Sequence, residues 1–176
     1  MPPLLAEVVI VRILVSSVIL LFPLLGGILA IFVDYLDYEF LKRFDPSNLD
    51  KYPYIDKFLD LYYLSLEVLV VLFWKNRLVK KTALFLFSLR IVGVTLFYLT
   101  GWARFLVFFP NVFELFFLFY LTTKRVIKRE PDYKLKTLII ILLLLLIPKL
   151  AHEYLTHVNT VTPWTENEYV KLLLPF

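Results

Sequence analysis

The chain has 176 residues, 60% hydrophobic and 19% charged, with a formal net charge of +4 and a mean hydropathy of +0.77. Soluble domains run nearer about half apolar and about a quarter charged, and their apolar runs are shorter, so a soluble globular domain is excluded. There are no cysteines, which excludes disulfides, thiolate metal sites and cysteine catalysis. Nucleic-acid binding is excluded as well, because no soluble basic face exists to carry it.

Only helices and closed barrels satisfy the backbone in lipid, and the apolar runs here are long and do not alternate. The expected fold is therefore all-α: a polytopic transmembrane bundle of about six helices. It forms a single integral membrane domain over residues 1–176, in the cell membrane. The N-terminus, MPPLLAEVVIVR, lacks a positive n-region and a small-residue cleavage site, so it is read as a retained first helix. Residues 4–33 are apolar and divided by Pro23 and Gly26-Gly27. About 35 residues from Leu4 to Tyr38 would make about 50 Å of helix, against a hydrocarbon core of about 30 Å, so two helices meeting near Pro23 are expected.

A polar segment, DYLDYEFLKRFDPSNLDKYPYIDKFLD, covers residues 34–60, with Asp45-Pro46-Ser47-Asn48 as its turn. A third helix is expected over 54–74, then the basic connection KNRLVKK, then a fourth helix over 82–101. Gly101 separates it from a fifth, over 102–123, which Pro110-Asn111 should kink. The basic stretch KRVIKREPDYKLK leads to a sixth helix, from near Leu138 to a frayed end around His152. The tail TPWTENEYVKLLLPF reads as interfacial, with Trp164, Tyr169 and Phe176 at headgroup level.

The polar segment carries the chemistry. Asp34 and Asp37 are three apart, and Asp56 and Asp60 four apart, so each pair shares one helix face. Four carboxylates at close range repel one another unless protons or a cation lie between them. An all-oxygen set suits Mg²⁺, Mn²⁺ or Ca²⁺. Lys42, Arg43 and Lys57 lie near in sequence and would suit a metal-bound phosphate. The bland alternative is that Asp56 favours the positive end of the third helix while Asp34 and Asp37 sit at the water boundary.

These residues resemble the CDP-alcohol phosphotransferase family, whose pattern D-x-x-D-G-x-x-A-R, then G-x-x-x-D-x-x-x-D, bridges the second and third of six transmembrane helices. This chain reads D-Y-L-D-Y-E-F-L-K-R from Asp34 and D-K-F-L-D from Asp56. The two pairs match in internal spacing, and the gap between them is one residue longer. Arg12 resembles an arginine often found in the family's first helix. Tyr38 stands at the first Gly position, Leu41 at the Ala and Lys42 at the Arg, and the second Gly is absent, with Lys51 or Tyr52 nearest. The resemblance implies a phospholipid-synthesis transferase. Asp34, Asp37, Asp56 and Asp60 would hold Mg²⁺ or Mn²⁺ on the diphosphate of a CDP-linked donor. Asp60 would also act as the base on an attacking alcohol, Lys42 and Arg43 would meet substrate phosphate, and CMP would leave. The expected partners are membrane lipids and a CDP-linked lipid or alcohol, with a homodimer as the candidate assembly.

Further polar residues fall within apolar spans: Glu67, Arg90, Arg104 and Glu114. Such residues face a partner or a cavity. Arg90 is the most central and is expected to be buried against Glu67 or Glu114, as a structural ion pair or as part of a substrate path. His152, Glu153 and His157 do not make a zinc motif, because the histidines are five apart, not four; Lys149 and His152 are expected to reach for the interface.

Other functions fit the same residues. A small transporter or ion-handling protein would use the aspartates with Glu67, Arg90 and Glu114, and a non-catalytic scaffold subunit would bind another membrane protein. Other lipid chemistry on an aspartate-bound metal, such as prenyl transfer, is a further reading. The positive-inside rule adds a tension: in six helices the Asp loop and the two basic connections lie on opposite sides, which puts the Asp loop outward. The resembling family keeps its site on the cytoplasmic side.

Overall fold

The computed structural model describes residues 3–46 and 52–157, and all its regular elements there are helical. Helix α1 spans Pro3–Ser17 and passes through a short 3₁₀ turn, Val18–Leu20, into α2, Pro23–Phe44. Pro23 opens α2 because a first-turn residue needs no N–H and its φ is already helical. Lys42 and Arg43 occupy the last turn, where cations favour the dipole. Gly26 lets α2 fold back on the turn: a β-carbon there would run into the Ile19 backbone. Helix α3 spans Tyr52–Val71 and α4 spans Arg77–Thr100.

The expected fifth helix is not one kinked rod but two pieces, α5 over Arg104–Phe108 and α6 over Val112–Ile127. Pro110 has no N–H to give the carbonyl four residues back, and the chain restarts with Val112 N–H bonded to the Pro110 carbonyl. Helix α7 spans Leu135–His157, beginning earlier and running further than its apolar core suggests, with Pro148 inside it. The turn residues Ser47 and Asn48, Lys51, and the tail with Trp164, Tyr169 and Phe176 lie outside the described residues.

The chain divides into two compact units. The first holds Met1–Asn76 and Phe117–Pro131. Within it α1, α2 and α3 pack together around Leu5, Val8, Leu41 and Tyr52. The second holds Arg77–Phe116 and Asp132–Phe176, where α5 packs against α4 and α7. Two stretches, Arg77–Thr100 and Arg104–Ile127, are long and apolar enough to cross a bilayer, the second broken at Pro110. Large apolar side chains stand exposed in both units, among them Leu21, Phe22, Phe73, Leu99, Phe108 and Ile147.

Candidate metal and phosphate site

The site lies in the first unit, where α1 runs beside the carboxyl-terminal half of α2 and the amino-terminal half of α3. Asp34 and Asp37 come from α2, Asp56 and Asp60 from α3, and all four carboxylates meet on one guanidinium, that of Arg12. Each terminal nitrogen holds one carboxylate from each helix. Nη1 donates to Asp37 at 2.9 Å and to Asp56 at 2.8 Å. Nη2 donates to Asp60 at 3.0 Å and pairs with Asp34. The antiparallel helices thus form two rungs, 37 with 56 and 34 with 60, and the planar Arg12 closes both.

Lys57 adds a second cation, 2.6 Å from Asp56 and 2.8 Å from Asp60. Asp60 therefore accepts from Arg12 on Oδ1 and from Lys57 on Oδ2. Each oxygen keeps a further lone pair, but the two cations beside it favour the ionised form. The Tyr52 hydroxyl donates to Asp37. Tyr52 is four residues before Asp56, so one helix face brings both to the cluster. Arg12, Asp37, Asp56 and Asp60 are buried, whereas the Asp34 side chain keeps 31% exposure, so the cluster opens at Asp34.

Three of the four carboxylates could hold a hard divalent cation in place of the Arg12 contacts. Asp34, Asp56 and Asp60 can each offer one oxygen within 4.8 Å of the others. Oxygen ligands at about 2.0–2.6 Å from one ion have separations of that order.

Lys42 and Arg43 do not join the cluster. They are exposed near the end of α2 and line, with Asp37, an open groove of about 830 Å³ whose other walls include Val8, Val11, Val33 and Phe40. Glu67 is buried in α3 of the same unit, its Oε1 close to Gly27.

Arg90 and Glu114 lie in the second unit and are both buried. Arg90 donates to the Phe109 carbonyl at 3.3 Å, capping the end of α5. Glu114 accepts from Asn111 at 3.1 Å and from Lys149 at 3.2 Å. Lys149 is thus drawn into the helices, not out to an interface, because a buried carboxylate needs a partner more than a flexible ammonium needs water.

Comparison with known protein families, with curated proteins and with solved structures finds no match. The likeness to CDP-alcohol phosphotransferases rests on the aspartate spacing and on Arg12.

Proposed function

We propose that this chain is a multi-pass membrane enzyme that transfers a phosphatidyl-type group from a diphosphate-linked lipid donor, of the CDP-linked kind, to an alcohol. The observation that carries this reading is the meeting of four carboxylates from two helices at one point. The exposed apolar side chains and the two span-length stretches support the bilayer setting. Asp34, Asp56 and Asp60 would hold Mg²⁺ or Mn²⁺, with Asp37 tying Tyr52 to the cluster. A bound divalent ion there supplies charge neutralisation for a diphosphate.

The chain's own residues do the rest. Acyl chains lie along Val11, Val33 and Phe40 in the α1/α2 groove, and Lys42 and Arg43 meet the phosphate at its polar end. The acceptor oxygen attacks phosphorus, the P–O bond to the nucleotide phosphate breaks, and CMP leaves with that electron pair. The hydroxyl proton passes to a free lone pair of Asp60, which Arg12 and Lys57 hold in place.

The test is CMP release from CDP-diacylglycerol with Mn²⁺ and a panel of alcohols. Asp60→Asn keeps the shape of the cluster and should lower turnover by about a hundredfold or more, the scale of a lost general base. Its Mn²⁺ affinity should fall much less than that of Asp34→Asn or Asp56→Asn. Turnover that survives Asp60→Asn removes that role. A second reading has its own support: Arg12 already holds all four carboxylates, as a closed structural cage in a scaffold would. Wild type that neither binds Mn²⁺ nor releases CMP decides for the cage.

A further inference from the structure

The end of the first unit away from the aspartates is a basic cap built from two connections. Trp74, after α3, is buried against α6, its ring stacked on Phe117 at 6.0 Å and close to Tyr120. Asn76 donates to the Pro131 carbonyl at 3.3 Å, 55 residues away in sequence. Glu130 accepts from Tyr120 and from Lys124. Partial burial pushes the Glu130 carboxyl up, but those two hydrogen bonds and the charges of Lys124 and Lys75 outweigh it and hold it below its ordinary value. Lys75 from one connection and Lys124 from the other are thus gathered round one carboxylate.

The cations of this end also stay open to water. Lys75, Arg125, Lys128 and Arg129 are exposed. Lys128 takes φ 53°, the left-handed turn that ends α6 and sends the chain back across the cap. Among these charges stand bare apolar side chains, Phe73 at 86% and Val126 at 74% exposure. A nucleic acid would neutralise the cations and leave Phe73 and Val126 in water. A lipid surface satisfies both, with phosphates for the cations and the upper acyl region for the apolar groups.

We propose that this cap is a binding surface for anionic phospholipid headgroups, with Lys75, Arg125 and Arg129 on the phosphates and Phe73 and Val126 seated below them. Glu130 serves as the internal clasp that holds the two connections in one surface. This inference does not depend on the chemistry at the aspartate cluster.

The test uses the full chain in phosphatidylcholine vesicles with a trace of spin-labelled phosphatidylglycerol or spin-labelled phosphatidylcholine. Electron paramagnetic resonance separates lipid slowed at the protein surface from free lipid. The slowed fraction should be larger for phosphatidylglycerol, and the difference should shrink as salt screens the cations. The triple variant Lys75→Gln, Arg125→Gln, Arg129→Gln should lower the preference by about twofold or more. The salt titration is made on wild type and stands even if the variant does not fold. Equal slowing of the two labels in wild type, a preference indifferent to salt, or one retained by a folded triple variant overturns the proposal.

Discussion

Arg12 is the residue on which the first unit turns. Its two terminal nitrogens each bridge α2 to α3, so its loss removes both rungs at once and leaves four clustered carboxylates with Lys57 alone. Removing one partner of a buried charge pair costs about 3–5 kcal/mol, because the charges left behind have lost their compensation. Arg12→Leu should therefore lower the thermal unfolding temperature in detergent, and millimolar Mn²⁺ or Ca²⁺ should restore part of the loss by occupying the same oxygens. Arg12→Lys should fall between, since a single ammonium cannot span both rungs. An Arg12→Leu melt equal to wild type with and without cation would show that the cluster does not need its guanidinium. The four aspartates were legible from spacing alone, because helical periodicity is local. Arg12 was visible only through a family likeness, because its partners lie 25, 44 and 48 residues away, a distance that local spacing does not encode.

At the level of elements, the break between α5 and α6 shows how a sequence signal can be read and still be understated. Pro110 announces a kink. Whether the chain resumes as the same helix depends on what satisfies the freed backbone groups. Here Arg90 takes the Phe109 carbonyl and the Pro110 carbonyl takes Val112 N–H, so two separate helices result. The arrangement needs α4 to lie very close to the break, and Gly93 permits it. A β-carbon on Gly93 would collide with the Phe109 β-carbon and crowd the Phe105 carbonyl at 3.3 Å. Gly93→Ala should thus destabilise despite the better helix propensity of alanine, and Gly93→Val should do so more strongly, by about 1–3 kcal/mol, the usual cost of overpacking. Thermal unfolding in one detergent, with both variants beside wild type, measures it. An unchanged or raised melting temperature for Gly93→Ala would mean that α5 shifts freely and that the Arg90 contact does not fix the break.

Across the whole molecule the charge is lopsided. The connections KNRLVKK and KRVIKREPDYKLK hold ten of the 19 Lys and Arg residues and two acids, while the polar segment 34–60 mixes both signs. All-helical structure and greasy surfaces were readable from composition, but composition has no direction, and orientation must come from this asymmetry. On the proposed multi-pass reading, the positive-inside rule predicts that the basic connections face the cytoplasm. Helix α3 carries Asp56 and Asp60 in its first half and runs about 16 Å from Asp60 to its end at Val71, with Lys75 in the turn beyond. The aspartate cluster should then open toward the opposite leaflet, in contrast to the cytoplasmic site of the family it resembles. Because the chain has no cysteines, single substitutions report sidedness without background. Asp45→Cys, at the end of α2, should react with a membrane-impermeant maleimide added outside intact cells. Arg129→Cys should react only after permeabilisation. The orientation also fixes how the donor is met: in sealed vesicles with Asp45 outward, CDP-diacylglycerol in the outer leaflet should be consumed, and external chelator should stop it at once. Labelling of Arg129→Cys from outside would reverse the molecule, put the cluster on the cytoplasmic side, and show that the basic cap does not set its orientation.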